Sequence, residues 1–64
     1  MSDDDKLDAV LVKHAARGMI QVHGKQAASV AREHAKYADS IGDERAAETW
    51  REIDDEIGRL QKQP

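Results

Sequence analysis

Apolar residues recur at helical spacing in the last third of the chain. After Gly42 and Asp43, successive apolar positions are four, three, four and three residues apart, which places them on one face of an α-helix. These positions are Ala46, Trp50, Ile53, Ile57 and Leu60. Gly42 is suited to end one helix and Asp43 to cap the next. We therefore predict a helix over residues 43–61, with the single tryptophan as the largest apolar group of the core.

Similar spacing indicates two further helices upstream. A serine and three aspartates near the N-terminus favour a helix start, and apolar residues then follow at helical intervals, so a first helix is predicted over residues 4–22. Gly24 favours a break before a second helix over residues 25–41. If Gly24 were instead an ordinary helical residue, residues 4–41 would form one continuous helix.

These helices predict an all-α fold, a three-helix up-down-up bundle formed by a single domain of residues 1–64. Short connections make sequential helices antiparallel, and an alanine stripe on the second helix favours close approach on two sides, so we expect that helix at the centre. The predicted core residues are Leu7, Leu11, Val30, Ala31, Ala35, Ala38, Ile41, Ala46, Trp50, Ile53, Ile57 and Leu60.

The apolar content is too small for an ample core. Ten of the 25 hydrophobic residues are alanine, phenylalanine is absent, and a chain of 64 residues buries only ~60% of its unfolded surface. A second copy would bury more, so we expect a homo-oligomer, with a homodimer as the simplest case. The apolar face of the first helix is broad, and the expected dimer or partner contacts are Val12, Met19, Ile20 and Tyr37.

Charge and cysteine content narrow the class of protein. Residues 6–36 hold six basic and two acidic residues, whereas residues 39–56 hold eight acidic and two basic ones, so the two halves attract each other within a chain or between chains. The absence of cysteine favours a reducing, cytoplasmic setting. The sequence shows no basic signal-peptide start and no apolar run of membrane-spanning length, so we expect no membrane partner.

Catalysis is not indicated by any residue pattern. We predict no catalytic or cofactor-binding residues and no cofactor, because the chain has no glycine-flanked nucleophile, no phosphate loop and little room for a pocket. The acidic row Glu44, Glu48, Glu52 and Glu56 is interpreted as a solvent face or a docking strip for a basic partner. We predict no metal site, although His14 and His34 are equally far from Gly24 and could meet as a metal-binding or pH-sensing pair.

Nucleic-acid binding is a further alternative, because Lys25, Arg32 and Lys36 lie along the second helix. The net charge of −3 argues against it, since proteins that follow phosphates normally carry a basic excess.

The segment around Gly42 resembles the helix-turn-helix unit of tetratricopeptide repeats. Ala31 and Ala38 precede the Gly42-Asp43 turn, and Ala46, Ala47 and Trp50 follow it; only one such unit is present. The whole order of helices and glycine breaks is also similar to small uncharacterised bacterial α-helical proteins, a resemblance that implies no activity.

The sequence thus predicts a non-enzymatic, self-associating protein–protein interaction module, with a histidine-based metal or pH regulator or a DNA-associated regulator as alternatives.

Overall fold

Helices form nearly the whole described chain. The computed structural model describes the backbone of residues 2–62 and the side chains of residues 9–62. Helix α1 spans Ser2–His23, a 3-10 turn spans Gly24–Gln26, α2 spans Ala27–Ser40 and α3 spans Glu44–Lys62. No strand occurs within residues 2–62. The predicted all-α class is confirmed.

The first junction differs from the prediction. Helical residues follow one another without interruption from Ser2 to Ser40, so the chain has two continuous helical segments and the prediction of three separate helices is wrong. The reason is that the 3-10 turn at Gly24 joins α1 directly to α2. A straight helix over residues 2–40 would be about 58 Å long, yet the largest dimension of the molecule is 33 Å. The segment therefore bends at Gly24, whose φ of 57° is a left-handed conformation that glycine adopts without steric cost.

The second junction is a complete helix stop and start. Gly42 has a φ of 76°, its backbone N–H donates to the Asp39 carbonyl at 3.1 Å, and the N–H of Asp43 donates to the Ala38 carbonyl at 2.8 Å. These two bonds form the Schellman arrangement that satisfies the last carbonyls of a helix. The Asp43 carboxylate then accepts the Ala46 backbone N–H at 3.1 Å and caps α3.

Helix α3 is the centre of the packing. Both α1 and α2 pack on it, while α1 and α2 pack least on each other. The expectation that α2 is central is therefore wrong, because α1 and α2 each pack more on α3 than on each other. Two ion pairs join α2 to α3, Arg51 to Asp39 at 2.7 Å and Arg32 to Asp54 at 3.4 Å. The result is flat, measuring 33 × 30 × 16 Å, and more open than a closed up-down-up bundle.

The buried residues of the described core are alanines and isoleucines. Among the described side chains, the buried apolar residues are Ala16, Ala27, Ala31, Ala35, Ala38, Ala47, Ile53 and Ile57. Val12, Ala15, Met19, Ile20, Ala28, Trp50 and Leu60 are half-buried and pack against this core. Val30 and Ala46 are also half-buried, and the side chain of Leu7 lies outside the described part. Short side chains at the helix contacts thus allow close backbone approach but bury little area each.

Two predicted core residues are exposed. Leu11 is 63% exposed and Ile41 is 59% exposed, so placing them in the core is wrong. α1 and α2 pack less on each other than either packs on α3, which leaves Leu11 of α1 and Ile41, just after α2, open to solvent. Three fully buried alanines take their place in the core, namely Ala16, Ala27 and Ala47, none of which was on the predicted core list.

Candidate interaction surfaces

The predicted contact residues fall into two groups. Val12, Met19 and Ile20 are half-buried against the core, so only part of each side chain remains accessible to a partner. Tyr37 is 66% exposed, which leaves most of its ring accessible. Val22 at 77% and Leu11 at 63% are comparably exposed, and neither was a predicted contact residue.

One flank of α1 carries an unpaired apolar stripe. Leu11, Ala15, Gly18 and Val22 are spaced by four, three and four residues, so they share one side of the helix. Leu11 is 63% and Val22 77% exposed, Ala15 is half-buried, and Gly18 is exposed. A Cβ added at Gly18 would meet nothing within 4 Å. We call these four residues the α1 flank. The helical spacing of these residues is visible in the sequence, but their exposure depends on how α1 crosses α3.

An open groove separates the α1 flank from the start of α3. Its volume is about 460 Å³. Its apolar walls come from Leu11, Val12, Ala15 and Ile53, and its polar rim from Arg45, Glu48, Thr49 and Glu52. A shallower groove continues along the same part of α3 past Ala46 and Trp50. Neither groove closes over a ligand-sized space, so the geometry suits a protruding side chain or a helix better than an enclosed small molecule.

The end of α2 presents a second apolar patch. Tyr37 and Ile41 lie three and seven residues after His34, so all three share one side of α2. His34 stacks on Trp50, with ring centroids 4.3 Å apart and an interplanar angle of 17°. All three side chains are exposed, so this side of α2 is open to solvent.

The row of charged residues that begins with Glu44, Glu48 and Glu52 on α3 changes sign along the helix. Glu44, Glu48 and Glu52 are exposed, as the sequence predicted, whereas Glu56 is half-buried and lies 3.5 Å from Arg59. The row continues to Lys62, so that its first part is acidic and its last turn is basic. The amide of Gln61 donates to the Gly24 carbonyl at 2.9 Å, which brings this basic end beside the turn that carries Lys25.

The two histidines of the predicted pair, His14 and His34, have different surroundings. Both side chains are exposed, but His34 stacks on Trp50 of α3, whereas His14 lies on α1. Within the described part of the chain, no three His, Asp or Glu side chains are grouped so that they could hold a metal ion. His34 therefore has a structural partner in the α2–α3 contact.

The basic residues of α2 do not form one free face. Arg32 is paired with Asp54 of α3, whereas Lys25 lies in the turn before α2 and Lys36 is exposed.

None of the helices in residues 2–62 combines the length and apolar content that a bilayer span requires.

Comparisons with protein-family models, with curated proteins and with solved structures find no match to this chain. Its surfaces are therefore interpreted from their own chemistry.

Proposed function

We propose that the protein is a small, non-enzymatic, cytoplasmic interaction module that acts through its helical surfaces and associates with a second copy of itself. The observation that carries this proposal is that mostly small apolar side chains are buried while several large ones are exposed. Among residues 9–62, the buried apolar residues are six alanines and two isoleucines, whereas Leu11, Val22, Tyr37 and Ile41 each expose more than half of their surface.

This distribution favours association on energetic grounds. Each fully buried large apolar side chain contributes roughly 1.5–3 kcal/mol, while an alanine methyl contributes much less. Because Leu11, Val22, Tyr37 and Ile41 remain largely in water, their burial contributes little to the folding free energy of one isolated chain. A stable interface needs about 800 Å² from each partner, which is about a sixth of this chain's 5127 Å² surface. The α1 flank and the adjoining groove offer an apolar centre with a polar rim, as protein interfaces do.

Sedimentation equilibrium tests the proposal. Over protein concentrations from about 1 μM to about 1 mM, we expect a reversible shift from monomer to dimer. The doubly substituted chain Leu11→Ser/Val22→Ser should remain monomeric over more of that range. Val10→Ser is the matched control, because Val10 is 48% exposed on the same helix but lies off the α1 flank. A wild-type mass that stays monomeric throughout would refute self-association.

A further inference from the structure

The α1 flank has a shape that is complementary to itself when inverted. It has a large exposed residue at each end, Leu11 and Val22, and the small residues Ala15 and Gly18 between them. When a second α1 runs antiparallel about a point between residues 16 and 17, Leu11 lies opposite Val22 and Ala15 lies opposite Gly18. The small residues then allow the two backbones to approach closely, while the large residues cover each other at both ends.

Gly18 is compatible with this arrangement. A glycine inside a helix weakens it relative to alanine. Among the described residues, a Cβ added at Gly18 would meet no atom within 4 Å, so the surface beside it is open. A glycine at that point lets a neighbouring backbone approach more closely than a larger residue would.

Charge selects the direction of the second helix. The charged residues on the rim of the groove beside Leu11 are Arg45, Glu48 and Glu52, so the rim carries a net charge of −1. The other end of the flank, at Val22, adjoins Lys25 in the turn, and Gln61 holds the basic last turn of α3, with Lys62, beside that turn. An antiparallel neighbour brings its basic end to this acidic rim, and the reverse contact forms at the other end. A parallel neighbour would place like charges together at both ends.

We infer that two copies of this chain pair through the α1 flank in an antiparallel, two-fold symmetric dimer, with Ala15 and Gly18 at the closest approach. This inference rests on the proposed self-association and specifies its surface. The same patch serves both partners, so the contact closes at two copies instead of growing into chains. The rim charges of α3 then fix the antiparallel register, and high salt weakens the dimer.

Substitution at Gly18 tests the surface. Gly18→Leu places a branched side chain at the crossing and should weaken dimerisation by roughly tenfold or more, with the helix content of the monomer retained. Gln21→Leu is the matched control, because it adds the same side chain at an exposed α1 position off the flank. It should leave the dimerisation constant within about threefold of wild type. Equal effects of the two substitutions would overturn the assignment.

Paramagnetic broadening tests the direction. The chain has no cysteine, so Gln26→Cys, at an exposed and uncharged position of the turn, carries a single nitroxide, and the labelled chain is mixed with an isotope-labelled wild-type chain. The antiparallel dimer predicts broadened amides around residues 9–12 and 44–48 of the unlabelled partner. Broadening centred on residues 22–26 would show parallel pairing, and broadening confined to residues 37–41 would show pairing through the end of α2. Either result overturns the inference while leaving self-association intact, whereas a monomer with no broadening refutes the proposed function itself.

Discussion

Replacing Ile57 by alanine should remove most of the stability of this protein. Ile57 is the largest side chain that is fully buried, at the centre of the contact between α3 and its neighbours. Ile→Ala at a buried site costs about 2–5 kcal/mol, because the apolar transfer energy is lost and a cavity remains. A chain of 64 residues has a total stability of roughly 3–10 kcal/mol. The substitution therefore consumes a large part of the total, and the variant should be partly unfolded at ambient temperature.

Ile41 provides the matched control for this experiment. Ile41→Ala is the same chemical change at a side chain that is 59% exposed, so it should alter the free energy of unfolding by no more than about 0.5 kcal/mol. Urea unfolding, followed by far-ultraviolet circular dichroism and by the fluorescence of the single Trp50, measures both variants. The protein concentration must be equal in all samples, because association adds to the apparent stability. Similar losses for the two variants would contradict the core described here.

Four smaller perturbations test local features by the same unfolding measurement. Asp43→Ala removes the cap of α3 and should cost about 1 kcal/mol; no loss would mean that the carboxylate does not stabilise the helix start. Gly42→Ala forces an L-residue into the left-handed conformation and should lower the free energy of unfolding by about 1–2 kcal/mol. Gly58→Ala places a methyl group in open space within α3 and should raise the free energy of unfolding by up to about 1 kcal/mol. A double-mutant cycle on Arg51 and Asp39 should give a coupling below about 1 kcal/mol that falls with added salt, because both side chains are more than half exposed; a larger, salt-independent coupling would be inconsistent with that exposure.

The helix signals in the sequence were strong where local chemistry decides the backbone. The Gly42-Asp43 pair specifies a left-handed residue and a cap, and both occur in the structure. The boundaries of α3 differ from the predicted 43–61 by one residue at each end, which is the ordinary uncertainty of helix termini. The alanine-rich core also follows from composition, because the chain has few larger residues to bury.

The sequence could not specify the packing between helices. Gly24 signalled a change of direction, but it could not show that a 3-10 turn keeps the first helical segment continuous to Ser40. The angle at which α1 leaves this turn decides whether Leu11 and Ile41 are covered, and periodicity contains no information on that angle. For the same reason, the unpaired α1 flank became visible only once α1 had been placed on α3.

The concentration dependence of thermal unfolding tests the central claim most directly, namely that a second copy completes the burial that one chain leaves unfinished. Wild-type protein should unfold at a midpoint that rises by roughly 3–6 °C for each tenfold increase in concentration above the dimerisation constant. The Gly18→Leu variant keeps its helices but pairs more weakly, so its midpoint should begin to rise only at a concentration about tenfold or more above that of the wild type. A wild-type midpoint that is constant over the whole accessible range would contradict the account, because it would show that one chain folds without a partner.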